Sequence, residues 1–161
     1  MSKASELILG EHPRQLDERY RVSIPQELVE LLAVENGQCS LAKERPGCLS
    51  LWNTQRSQTE LEAGMELVQG KIRAGKLADR ITELQVLGRL LSTRQRDVKI
   101  AGRGRLLIPE GFREFLGVEQ GGEVMVIGAA ICIEIWRPTA WIKYLEKRIP
   151  KFRSLFDELT S

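Results

Sequence analysis

The chain repeats itself, and that constrains its fold more than any other feature. Residues 16–25 align without a gap on residues 100–109, an offset of 84 positions. Arg19, Arg21, Ile24 and Pro25 fall on Arg103, Arg105, Ile108 and Pro109. The same offset carries Glu30, Leu32, Val34, Glu35, Gly37, Cys48 and Trp52 onto Glu114, Leu116, Val118, Glu119, Gly121, Cys132 and Trp136. Val22 exchanges with Leu106, Leu28 with Phe112, Leu49 with Ile133 and Leu51 with Ile135. Identities at both apolar and turn positions over such a span mark a duplication, so the fold must be built from two similar units.

Each copy carries the same local signals. An extended segment runs into Arg-x-x-Ile-Pro. Proline fixes its own backbone angle and pushes its predecessor toward extended geometry, yet it suits the start of a helix. Pro25 and Pro109 therefore mark a strand-to-helix switch. Helices are predicted over about Gln26–Leu32 and Glu110–Leu116, with Leu28, Leu31 and Leu32, and Phe112, Phe115 and Leu116, on their apolar faces. Asn36-Gly37 and Gly121-Gly122 signal turns. Strand pairs close the units, at 39–42 and 48–52 in the first copy and at 123–127 and 131–136 in the second.

A helical insert separates the copies. Thr54 or Ser57 is a candidate cap for a helix to about residue 69, which uses Leu61, Met65 and Val68 and is interrupted by Gly70 and Gly75. A second helix from about Asp79 uses Ile81, Leu84, Leu87, Leu90 and Leu91, and these leucines are expected to pack on the strands. After Trp136, a helix at about 140–148 presents Trp141, Ile142 and Leu145; Pro150 ends it, and 151–159 adds a last turn or two.

Composition excludes several classes. No apolar run approaches the roughly 20 residues of a membrane helix. The opening Met1-Ser2-Lys3-Ala4-Ser5 leads into too few apolar residues for a signal peptide, so a cytoplasmic protein is expected. Cys39, Cys48 and Cys132 have no zinc-type spacing, and His12 is the single histidine, so neither a metal site nor a cofactor is expected. Cys48 and Cys132 read as core thiols, and Trp52 and Trp136 as packing anchors. One histidine cannot anchor a catalytic triad, and Gly102-Arg103-Gly104 lacks the rest of a nucleotide loop, so no enzyme and no small-molecule substrate is expected.

The formal charge is only +2, but the segment 94–105 holds Arg94, Arg96, Lys99, Arg103 and Arg105 against Asp97 alone. A unit of about 45 residues is too small to bury a good core by itself. Two copies related by a pseudo-two-fold axis would share one barrel and set the Arg19/Arg21 strand beside the Arg103/Arg105 strand. Arginine matches phosphates and guanine edges bidentately, so twin arginine turns point to nucleic acid. Arg14, Arg94 and Arg96 read as solvated flanks.

These residues carry a resemblance. Asp17-Glu18-Arg19-Tyr20-Arg21 followed by Val22-Ser23-Ile24-Pro25 resembles the first of the two Asp-x-x-x-Arg motifs of the MraZ family of the SpoVT/AbrB-like superfamily, and 47–52 its downstream strand; Leu90-Leu91-Ser92, Gly104-Arg105-Leu106-Leu107-Ile108-Pro109 and 133–136 resemble the second half. The resemblance spans about residues 7–144. It implies an α+β fold, a pseudo-two-fold AbrB-like β-barrel of two repeated units with helices packed outside. The implied division is a first repeat at 7–53, a helical insert at 54–91, a second repeat at 92–137 and a C-terminal helical segment at 138–161. It also implies a nucleoid-associated transcription regulator that assembles as a homo-oligomeric ring, an octamer or a dodecamer. Such a regulator binds double-stranded DNA at G-rich repeated boxes before the division and cell-wall gene cluster. The DNA contacts carried over are Arg21 and Arg105, extended by the repeat to Arg19 and Arg103 and by the charge run to Lys99. Asp17, Pro25, Gly104 and Pro109 are the motif positions. Tyr20 stands where the family has glycine and Ala101 where it has aspartate. Tyrosine is costly at a left-handed turn position, which predicts a first turn of different shape. The alternative is a ring-forming interaction protein with weak or lost DNA binding.

Overall fold

The computed structural model describes residues 6–161; the opening residues 1–5, read above as too short a lead for a signal peptide, lie outside them. In chain order the elements are β1 (Ile8–Gln15), β2 (Arg21–Ser23), α1 (Gln26–Leu32), β3 (Gln38–Arg45), β4 (Cys48–Asn53), α2 (Thr54–Arg73), α3 (Ile81–Thr93), β5 (Gln95–Lys99), β6 (Arg105–Leu107), α4 (Glu110–Leu116), β7 (Glu123–Ala130), β8 (Ile133–Trp136), α5 (Pro138–Arg148) and α6 (Phe152–Thr160). One antiparallel sheet has the order β1-β7-β8-β4-β3-β5, and β2 and β6 form a separate antiparallel ladder. The fold is α+β.

The pairings reveal the pseudo-two-fold axis. β2 pairs with its own repeat β6, with Val22 opposite Leu106. β4 pairs with its own repeat β8, with Ser50 opposite Glu134. Each of these residues faces its own counterpart, so the axis passes through both pairs. The outer strands are exchanged: β1 pairs with β7 of the second copy, and β5 with β3 of the first. Neither copy completes its sheet alone, which is how two small units bury one core. Val22, Ile24, Leu49 and Leu51 of the first copy and Leu106, Ile108, Ile133 and Ile135 of the second are all essentially inaccessible within it. The offset of 84 holds to Gly37 and Gly121 but is 85 along the third strand of each copy, where Cys39 and Val124, and Leu41 and Val126, are the buried equivalents. The extra glycine at Gly121-Gly122 is absorbed in the following hairpin, where β3 and β4 shift register between Lys43 and Arg45.

The predicted short helices occur as read. Pro25 and Pro109 sit in extended conformation just before α1 and α4, which end in left-handed caps at Ala33 and Gly117. The insert differs from its reading. Asn53 caps α2 by accepting the Gln55 amide, so Thr54 is the first helical residue; the Ser57 side chain lies outside the described residues. Gly70 does not interrupt α2, which runs to Arg73 and turns at Gly75 (φ 71°). Apart from Leu61, which also faces Ala42 and Trp52, the insert leucines turn from the strands toward each other. No residue of α3 is buried, and Leu61, Met65, Val68, Leu84, Leu87 and Leu91 instead line a groove of about 470 Å³ between α2 and α3. A helical stripe shows that a face asks for cover, and not what covers it. On α5, Trp141 and Tyr144 stack against Trp136 with ring centroids 5.1 Å away, while Ile142 points outward. The aromatic cluster, rather than the predicted aliphatic stripe, sets the roll of the helix. A 3-10 turn containing Pro150 leads into α6, a full helix whose Phe152, Leu155, Phe156 and Leu159 are all exposed.

Cys39, Cys48 and Cys132 are free and buried. Burial pushes the Cys39 thiol up to about 11 and that of Cys132 up to about 12, and raises Cys48 as well, so all three are inert packing groups at neutral pH. Glu134, on the pseudo-axis, accepts the Trp136 indole N–H at 2.9 Å. Burial, followed by the nearby Glu44 carboxylate, raises its pKa above the ordinary 4.5, against the lowering effects of the indole and of Arg45. A carboxyl whose pKa is raised on folding supports the fold below its unfolded value and loses that support as pH rises through the folded one. Glu134→Gln keeps an acceptor for the indole and removes the charge. It is expected to raise the melting temperature at pH 7, with the gain shrinking toward about pH 4. A melting curve of the variant that stays below wild type at pH 7 contradicts this.

Candidate nucleic-acid interface

The axis that organises the core also organises the basic turns. Both turns close with the same backbone bonds. Asp17 N–H donates to Arg21 O and Tyr20 N–H to Asp17 O; at the second turn Ala101 N–H donates to Arg105 O and Gly104 N–H to Ala101 O. Tyr20 (φ 59°) and Gly104 (φ 74°) are both left-handed, so the predicted difference in shape at that position does not occur. The two turns also hold each other. Ile24 N–H donates to Gly104 O at 2.7 Å, and Ile108 N–H to Tyr20 O at 2.9 Å. A residue absent from the sequence reading explains how tyrosine fits. The Arg113 guanidinium lies 4.2 Å from the centroid of the Tyr20 ring, and its Nε donates to Ile108 O at 2.8 Å. Contact with a cation over the ring offsets the left-handed strain. The only signal was covariation within the repeat, since the glycine of the second turn accompanies valine, Val29, at the position equivalent to Arg113.

The turns differ in their side chains. Asp17 Oδ1 accepts the amides of Arg19 and Arg21 at 2.8 and 2.9 Å, and Oδ2 accepts Arg21 Nε at 2.7 Å. The Arg21 amide above all, with the Arg21 guanidinium and the Arg19 amide, holds the Asp17 carboxyl below its usual value against desolvation, which opposes them and is second in size only to the Arg21 amide. Ala101 offers none of this. Arg103 itself adopts a left-handed conformation (φ 65°) in the short 3-10 turn Gly102–Gly104.

Arg21, Lys99, Arg103 and Arg105 line one open groove of about 480 Å³ together with Ala101, Gly102 and Leu107. Four cations and no carboxylate face it. Lys99, Arg103 and Arg105 are exposed and make no ion pair among the described residues, whereas Arg21 is paired with Asp17. Arg19 stands on the first turn outside the groove lining. Asp17, Pro25, Gly104 and Pro109 are the scaffold: one side-chain clamp, two helix switches and one close approach of backbone. Of the flanks, Arg94 reaches Glu44 at 3.6 Å and Arg96 lies over the Phe112 ring. His12, half-buried, faces Glu27 at 3.7 Å. Among the described residues no cluster of His, Cys, Asp or Glu could hold a metal ion, and no helix is long and apolar enough to cross a membrane.

Two interlocked strand–turn–helix units around a pseudo-two-fold axis, each led by an arginine-bearing turn, define an AbrB-like protein. A family model described as "MraZ protein, putative antitoxin-like" matches residues 94–158. A Cutibacterium acnes protein named Transcriptional regulator MraZ is 28% identical over 153 residues, covering 92% of this chain and 94% of that one. Proteins of the same name from Thermus thermophilus and Methylobacillus flagellatus are 30% and 31% identical over 142 and 133 residues. The first alignment covers 88% of this chain and 90% of the relative; the second covers 82% of each. The chain belongs to the MraZ family.

Proposed function

We propose that this protein is a sequence-specific, DNA-binding transcriptional regulator of the cytoplasm and nucleoid. It binds G-rich repeated boxes in the promoter of the division and cell-wall gene cluster. The observation that carries this reading is the open groove beside the second turn, where Lys99, Arg103 and Arg105, none ion-paired among the described residues, converge with Arg21. Lysine and arginine on phosphates supply salt-sensitive affinity, and arginine on guanine edges supplies sequence choice, which suits a G-rich site. The repeats 7–53 and 92–137 present this face, with Arg19 reaching flanking phosphate. The insert 54–91 and the tail 138–161 mediate assembly into a closed homo-oligomer. Two uncovered apolar surfaces, the α2/α3 groove and the α6 face, support that assignment. The second turn carries more of the binding, because Arg105 has no internal partner while Arg21 is clamped by Asp17.

Fluorescence anisotropy on promoter duplex tests this. Arg105→Ala is expected to weaken binding about 5- to 150-fold, as about 1–3 kcal/mol for a specific arginine contact gives, and Arg21→Ala to weaken it less. Lys99→Ala is expected to lower the salt slope by about one, as for a phosphate contact. Failure of the wild type to bind duplex at low salt overturns the reading. In that case a large assembly in light scattering would favour a ring-forming interaction protein, which the exposed α6 face also fits.

A further inference from the structure

A second basic pocket lies away from the groove, on the outer face of the β4/β8 pair. The side chains of Leu49, Leu51, Ile133 and Ile135 point into the core, so Trp136 and its neighbours point out, beneath α5. There Arg45, Arg137, Lys143, Lys147 and Arg148 line a pocket of about 400 Å³ with Trp136, Thr139 and Tyr144. No acidic residue lines it, and none of the five cations makes an ion pair among the described residues. Two of them crowd one ring: the guanidinium carbons of Arg45 and Arg148 lie 5.0 and 5.6 Å from the Tyr144 centroid. The Nε of Arg137 is buried without a partner. The N-terminus of α5 opens on the same pocket and has no side-chain cap; Pro138 has no N–H, which leaves the Thr139 and Ala140 amides without an acceptor among the described residues.

The duplication supplies a control within the same molecule. The equivalent pocket of the first copy, at the start of α2, is lined by Trp52, Asn53, Gln55, Ala130 and Ile131 where the second has Trp136, Arg137, Thr139, Arg45 and Pro46. Its volume is similar, about 470 Å³. Among the described residues it holds no cation, and Glu6 lines it; the side chain of Arg56, at the position equivalent to Ala140, lies outside them. Its helix terminus is closed from within, since Asn53 Oδ1 accepts the Gln55 amide while Asn53 Nδ2 donates to the carbonyls of Leu32 and Ala33. The fold therefore requires neither the five cations nor an open helix end at this place. One half seals the pocket with its own side chain, and the other leaves it open and positive.

We propose that the second pocket binds an oligophosphate anion. Of the five charges, Arg45 has carboxylates close by, Glu44 and Glu134; the like charges repel, and a multiply charged anion relieves that repulsion while accepting the Thr139 and Ala140 amides. Tyr144 is already covered by two guanidinium groups and stacks with Trp141, so no open ring face is left for a base, and the phosphate chain is what is recognised.

The test titrates the full-length protein with inorganic triphosphate by calorimetry, and in parallel by the fluorescence of Trp136 and Trp141. Saturable binding is expected, at least tenfold weaker in the triple variant Lys143→Gln, Lys147→Gln, Arg148→Gln. Those three side chains are exposed, so the variant keeps its fold, which circular dichroism verifies. A groove variant, Arg103→Gln with Arg105→Gln, is expected to bind triphosphate as wild type does. A nucleoside triphosphate is expected to match triphosphate, and the free nucleoside to give no binding. Absence of saturable binding overturns the proposal, as does equal binding by the triple variant. Loss of binding in the groove variant alone overturns it too, by placing the anion in the groove. Because the groove variant is read separately, failure here leaves the DNA reading untouched, and the converse holds.

Discussion

Leu106→Ala is expected to lower the free energy of unfolding by about 3 kcal/mol, within the range for a fully enclosed leucine reduced to alanine. Leu106 is inaccessible and sits on the pseudo-two-fold axis opposite Val22, its own counterpart. A cavity there is lined by both halves, because Ile24 and Ile108 flank the pair and Leu49, Leu51, Ile133 and Ile135 complete the same core. Neither half can collapse to fill it without shifting the other, so relaxation recovers little. The neighbouring Leu107 is the control: it is 49% exposed, and its change to alanine is expected to cost no more than about 0.5 kcal/mol. Urea denaturation at one fixed protein concentration measures both, since any self-association would make the midpoint concentration-dependent. Equal losses at positions 106 and 107 would remove the axis from where the pairings put it.

The repeat made this architecture readable, because a duplication specifies both units and most of the way they meet. Arg-x-x-Ile-Pro located the strand-to-helix switches, and the apolar spacing located α1 and α4, since both depend on near neighbours in the chain. What escaped depends on distant ones. The exchange of β1 and β5 between halves leaves no mark in either copy alone. The compensating shift at Gly121-Gly122 and Lys43/Arg45 is invisible to a gapless comparison. The stripes of α2, α3 and α6 were legible as apolar faces, but the strand core is complete without them, so these faces remain outside it.

The basic groove was legible for the same reason. Once the halves are known to pair about an axis, Arg21 and Arg105 must lie near each other, and Lys99 and Arg103 follow from the charge run. The inequality of the turns was half legible. Asp17 against Ala101 foretold which arginine is clamped. Tyr20 against Gly104 foretold a change of shape; the turns do differ, but one residue earlier, where Arg103 is left-handed and Arg19 is not, while Tyr20 and Gly104 adopt the same left-handed conformation with Arg113 packed on the ring. The pocket beneath α5 was not legible, because Arg45 and Arg148 are far apart in the chain and meet only in the fold, at the Tyr144 ring.

Gly104→Ala is expected to be costlier than its position on an exposed turn suggests. An alanine at φ 74° carries roughly 1–2 kcal/mol of left-handed strain. Its Cβ would also lie 2.1 Å from the carbonyl oxygen of Ile24 and 3.2 Å from the carbonyl carbon. Those atoms cannot swing aside as a side chain would, because Ile24 N–H donates to Gly104 O and Ile24 is enclosed in the core. The second turn must move off the first, and a total loss of about 3 kcal/mol is expected from strain and lost reciprocal bonding together. Tyr20→Gly at the equivalent position relieves left-handed strain while losing the ring under Arg113, so its net effect is expected to stay within about 1 kcal/mol. The functional consequence separates the two as well. Moving the second turn displaces Arg103 and Arg105, so Gly104→Ala is expected to weaken duplex binding at least tenfold under conditions where circular dichroism shows the protein folded. Tyr20→Gly is expected to change it less than threefold. Denaturation midpoints and anisotropy on the same preparations give both readouts. Wild-type stability and affinity in Gly104→Ala would mean that the two turns do not interlock.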